Sequence, residues 1–82
     1  MQKEHQVTQQ QVINFVSWQL RLPTAEIFPY THLGDDLHLD NFDKMLLINK
    51  LENNMNVYLT SEEVENIETI QDVSFFFHRH AA

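Results

Sequence analysis

The chain has 82 residues, 43% of them apolar, and carries twelve acidic against five basic side chains for a formal charge of −7. That length is one small domain, 1–82, and the absence of cysteine excludes disulfides, thiolate metal sites and thiol nucleophiles. Between Glu26 and Asp72 eleven acids face two lysines, a field that repels phosphate backbones and argues against nucleic-acid partners.

Met1-Gln2-Lys3-Glu4-His5 is polar and no apolar stretch follows it, so no secretory signal is expected and the setting reads as cytoplasmic. Residues 1–6 and 81–82 read as frayed ends. The first helix is expected from Thr8 to Leu22. Thr8 is its cap, with Gln11 at capping-box distance. Val12, Ile13, Phe15, Val16, Leu20 and Leu22 share one half of the helical wheel, Gln10, Asn14, Ser17 and Arg21 the other, and Trp18 lies at the edge. Pro23 is expected to stop it. Residues 23–39 then form a long connection, for which Ile27, Phe28, Leu33, Leu37 and Leu39 can supply core contacts.

A second helix is expected over Asn41–Asn54, capped by Asp40 or Asn41. Its wheel has two apolar stripes. Leu47, Ile48 and Leu51 make one; Phe42, Met45 and Leu46 make the other, on the opposite side. A surface helix needs only one stripe, so the second is either buried against the long connection through Phe28 or Leu33, or is a docking surface. The docking reading is preferred, because a domain this small has little room to bury a helix on two sides. A short third helix follows Thr60-Ser61-Glu62-Glu63, capped by Thr60 or Ser61 with acids in its first turn, and a last one starts near Thr69, with Asp72 at capping-box distance and Ile70, Val73, Phe76 and Phe77 as its stripe. Phe75 falls among its polar positions. The longest unbroken apolar run, Met45–Ile48, is four residues, far short of a membrane span.

Other chemistry finds little support. His5, His32, His38, His78 and His80 lack ligand spacing. Asp35, Asp36, Asp40 and Asp43 fail the EF-hand pattern and read as a solvated acidic loop feeding a helix N-terminus. No metal site is expected. Ser17, Ser61 and Ser74 have no base at a telling spacing, Glu62-Glu63 reads as helix-start charge, and no catalytic motif is present.

From Leu33 onward several stretches in one register carry a likeness. Asp36-Leu37-His38-Leu39-Asp40-Asn41-Phe42-Asp43, Leu47-Ile48-Asn49-Lys50-Leu51-Glu52, Val57 to Ile67 and Glu68-Thr69-Ile70-Gln71-Asp72-Val73 together resemble the acyl carrier protein family, whose signature usually reads D-L-G-x-D-S-L. The resemblance implies an all-α fold, a small four-helix bundle with three longer helices and a short third one. It implies a non-enzymatic carrier of acyl groups on a phosphopantetheine arm, serving fatty-acid, polyketide or related biosynthesis. Its partners would be acyl-transfer or biosynthetic enzymes and a phosphopantetheinyl transferase, and it would act as a monomer.

The same register places Asn41 where the family has the serine that bears the arm. Attachment makes a phosphodiester from a side-chain hydroxyl, which an asparagine amide lacks. No serine or threonine lies between Thr31 and Thr60. No arm is therefore expected on this chain, and 4'-phosphopantetheine only with serine at position 41. Three readings stay open: a change introduced to lock an ordinary carrier, a diverged relative that lost the arm, or a shifted register with Asn41 as a helix cap. His38, where the family usually has glycine, favours divergence. Asp40, Asn41 and Phe42 make up the site by this resemblance, and Phe42, Asp43, Met45, Leu46 and Glu52 its partner face. Leu46, Asn53 and Asn54 stand where acids are common, and Lys44 and Lys50 add positive charge. That face is thus oilier and less acidic than the family's, and an interaction or scaffold module without acyl chemistry is the alternative function.

Overall fold

The computed structural model describes residues 7–81. It contains α1 (Gln9–Leu20), a single 3-10 turn (Thr24–Glu26), α2 (Asn41–Met55), α3 (Ser61–Asn66) and α4 (Ile70–Ala81), with no strand among the described residues. This is the small four-helix bundle expected, with its short third helix. The ends expected to fray, 1–6 and Ala82, lie outside the described residues; Ala81 closes α4 and packs partly buried against the core.

Local sequence sets three of the helix starts. Thr8 accepts the Gln11 amide hydrogen while the Gln11 side chain accepts that of Thr8, at 3.2 and 2.8 Å. Thr60 and Glu63 repeat the exchange at the head of α3, at 3.1 and 2.9 Å. Thr69 and Asp72 do so at α4, both at 3.1 Å. Each exchange satisfies two amide hydrogens that a helix N-terminus otherwise leaves without partners.

α1 ends before Pro23 has any say. Arg21 adopts a left-handed conformation, φ 58°, and the Leu22 amide reaches back to the Ser17 carbonyl at 3.0 Å. The Ser17 hydroxyl also donates to the Leu22 carbonyl. This closing turn stops the helix at Leu20, two residues short of the expected end.

Val12, Val16, Leu33, Ile48, Leu51, Ile67, Ile70, Val73 and Phe77 are almost wholly removed from water. They form one cluster, contributed by α1, α2, α4 and the connections. Full burial of such a side chain stabilises by about 1.5–3 kcal/mol. α1 packs chiefly on α4 and also on α2. The long connection joins this core as expected through Ile27 and Leu33, with Leu37 and Leu39 half-buried. Phe28 departs from expectation: its ring stays exposed and stacks on Tyr30, centroids 5.2 Å apart. The connection is stitched to the head of α4 by backbone bonds from Leu33 to Glu68 at 2.9 Å, Ile70 to Thr31 at 3.1 Å and Gln71 to Pro29 at 2.8 Å.

Left-handed backbone occurs at Arg21, His38 and Asn56, not at the one glycine. Asparagine tolerates that region well as the C-cap of α2. His38, at φ 61°, carries a Cβ penalty of about 1–2 kcal/mol. Its amide is held by the Gly34 carbonyl at 2.9 Å and the Leu39 amide by the Leu33 carbonyl at 3.0 Å, which fix the conformation. His38→Gly is expected to stabilise the fold by about 0.5–1 kcal/mol, the relief being partly offset by glycine's larger unfolded-state entropy. A urea midpoint that falls, at unchanged slope, would show that the imidazole makes a compensating contact.

Candidate functional site

The site builds from the head of α2. Asp40 takes the cap: its Oδ1 accepts the Asp43 amide hydrogen at 2.8 Å. Asn41, the other residue that could have capped, is instead the first helical residue and is exposed. Sequence could not decide between them, since both side chains accept amide hydrogens well.

α2 and α3 enclose a groove of about 550 Å³. Asn41 and Ser61, each the first residue of its helix, both line it, and Met45, Leu59 and Val64 give it apolar wall. The groove offers an amide at Asn41 and a hydroxyl only across the gap, on α3. The first turn of α2 thus offers no side-chain hydroxyl from which a phosphodiester could be made.

The second stripe of α2 is not buried. Phe42, Met45 and Leu46 are 64%, 49% and 42% exposed, while Leu47, Ile48 and Leu51 face the core. Leu33 is committed to the core and Phe28 to Tyr30, so neither covers the stripe. Leu46 instead borders a shallow groove of about 320 Å³ beside Leu20 and Leu39. Asp43 is exposed next to the stripe, as is Lys50.

Glu52 corrects the partner face read from sequence. It is buried, and its Oε2 accepts the Leu59 amide hydrogen at 2.8 Å. It thus braces the connection that leads into α3 rather than meeting a partner. The helical wheel carried this signal: Glu52 lies four residues after Ile48, on the core side. Lys44 likewise leaves the exposed face, its Nζ donating to the Ile67 carbonyl at the end of α3, 3.0 Å away. Both crossings escaped the sequence reading, because nothing local announces a partner so far along the chain.

A third tie comes from α4. Nε2 of His80 lies 2.8 and 3.0 Å from the two carboxylate oxygens of Glu63. The His80 contact, then the Thr60 backbone hydrogen bond, hold the Glu63 carboxyl below the usual range. Among the described residues no group of three or more histidines and acids could hold a metal ion. No helix there is long and apolar enough to cross a membrane.

Known proteins resemble this chain along much of its length. The acyl carrier protein of Myxococcus xanthus is 36% identical over 55 residues, covering 67% of this chain and 70% of that protein. That of Micrococcus luteus is 36% identical over 55 residues, covering 67% and 68%. That of the Aster yellows witches'-broom phytoplasma is 25% identical over 73 residues, covering 89% and 96%. No family model matches the chain.

Proposed function

Since the chain belongs to the acyl carrier protein family, we propose that it serves acyl biosynthesis as a non-catalytic protein recognised by partner enzymes, and that Asn41 keeps it without the phosphopantetheine arm. The observation that carries this reading is the amide of Asn41, exposed on the first turn of α2 beside the α2–α3 groove. The described residues gather around one core, which supports treating 1–82 as one carrier-like domain; that it acts in the cytoplasm as a monomer is part of the same proposal. Fatty-acid, polyketide or related biosynthesis is the setting proposed. The test is intact mass after incubation with coenzyme A and a promiscuous phosphopantetheinyl transferase. The unaltered chain should gain nothing; a gain of one arm would overturn the reading.

The exposed stripe favours a second reading, an interaction or scaffold module that keeps the carrier surface without acyl chemistry. In both, Phe42, Met45 and Leu46 dock a protein partner, with Asp43 beside them, more by apolar contact than by charge. Leu46→Asp is expected to leave folding stability within about 0.5 kcal/mol, because Leu46 is a partly exposed surface position. In an Asn41→Ser background it should slow arm transfer by the transferase at least about tenfold, the loss of one apolar anchor. If the variant unfolds instead, the stripe is core and the docking role fails.

A further inference from the structure

The chain carries a formal charge of −7, so two copies repel unless they meet through a face that escapes this field. α2 has such a face. Among the described residues of α2, only Asp43 and Lys50 are both exposed and charged; its other exposed positions are asparagines and the stripe of Phe42, Met45 and Leu46. Glu52 is buried, and Lys44 is engaged on the Ile67 carbonyl. The outward charge of the helix is therefore one acid and one base.

Their placement is self-complementary. Asp43 and Lys50 line the same shallow groove beside Leu20, Leu39 and Leu46, so they share one flank of the stripe. They stand seven residues apart, about two helical turns, with Leu46 between them. A two-fold axis that sets two α2 helices antiparallel keeps each flank opposite itself and reverses the order along it. Centred beside Leu46, such an axis brings Asp43 of one copy opposite Lys50 of the other, and repeats the contact on its far side. The apolar stripes meet between the two contacts. A parallel pairing sets opposite flanks together and leaves both charges unmatched.

We propose that the exposed face of α2 pairs antiparallel with the same face of a second copy, so that the docking surface is masked in the pair and free in the monomer. This rests on the reading of Phe42, Met45 and Leu46 as a docking surface. A stable interface uses about 20–30 residues a side, far more than this stripe and its two charges. The pairing is therefore transient and grows with concentration, and the monomer remains the form that acts.

The experiment is sedimentation equilibrium of the full chain, from about 10 μM to about 1 mM, the range that suits a weak association. The unaltered chain should pass from one chain mass toward two. Leu46→Asp sets two carboxylates beside the axis and should weaken association at least about tenfold. Asp43→Lys lowers the overall repulsion between copies yet sets like charges together at both contacts, and should weaken association at least about threefold. Lys50→Glu should do the same. Mixed one to one, the Asp43→Lys and Lys50→Glu chains should associate as strongly as two unaltered chains, because both contacts are matched again and the combined charge is the same. The proposal is overturned if the unaltered chain keeps one chain mass throughout, if Leu46→Asp or Asp43→Lys leaves association as strong or stronger, or if the mixture associates no better than its components. Arm transfer in the Asn41→Ser background separates this from the docking reading. Transfer slowed by Leu46→Asp in a chain that never associates removes the pairing and leaves the docking role. Association lost with transfer unslowed removes the docking role and leaves the pairing.

Discussion

The Asn41→Ser variant is expected to gain the mass of one phosphopantetheine arm under conditions where the unaltered chain gains none. The change is small. Asn41 is the first helical residue and not the cap, which is Asp40, so replacing it sacrifices no capping bond. Serine tolerates the first turn of a helix well, and the exposed position leaves room for the hydroxyl. The effect is all-or-none because a missing nucleophile is a chemical deficit; no adjustment of neighbouring charge supplies an oxygen. Should the serine variant also stay unmodified while remaining folded, the placement of position 41 in the family register is wrong, or the surface no longer engages a transferase.

The largest loss of stability is expected from Phe77→Ala. Phe77 is 0% exposed at the centre of the cluster shared by α1, α2 and α4. Truncating a buried phenylalanine costs about 3–5 kcal/mol through lost transfer energy and the cavity left behind. For 82 residues, a total stability of about 4–12 kcal/mol follows from the usual range per residue, so this one substitution removes much of it. Thermal unfolding followed by far-UV circular dichroism should show a midpoint lowered by at least about 12 °C. Phe75→Ala is the control: at 59% exposure, with its ring meeting Phe76 edge-on, its loss should stay within about 0.5 kcal/mol. Comparable losses from the two would mean that the aromatic run is not divided between core and surface as described.

What sequence revealed best was what depends on near neighbours. The Thr8–Gln11 and Thr69–Asp72 pairs form across three residues, so spacing alone located them; at α3 the Thr60–Glu63 exchange decided a cap that the sequence left open between Thr60 and Ser61. The two stripes of α2 were equally plain on its wheel, but the wheel left the stripe of Phe42, Met45 and Leu46 either buried or exposed, and only the fold showed it exposed. The end of α1 was less plain, because an arginine in the left-handed region leaves no mark in composition. Phe28 misled because an apolar residue in a connection is as able to stack on Tyr30 at the surface as to enter the core. The candidate site was legible in its first turn and illegible behind it. Glu52, Lys44 and His80 act on residues seven, twenty-three and seventeen positions away, and only folding brings those distances to contact.

The stitch between the long connection and the head of α4 bears on the order of assembly. Capping boxes close within a turn and cost little chain entropy. Joining Leu33 to Glu68 instead ties off a loop containing all of α2 and α3; tying off about 35 residues costs about 3 kcal/mol of chain entropy. The hydrogen bonds at that neck, worth about 1 kcal/mol each, only match the cost. Burial of Leu33, Ile67 and Ile70 beside them tips the balance. The groove-bearing half of the molecule thus owes its persistence to a knot of apolar side chains at its throat as much as to the helices it encloses.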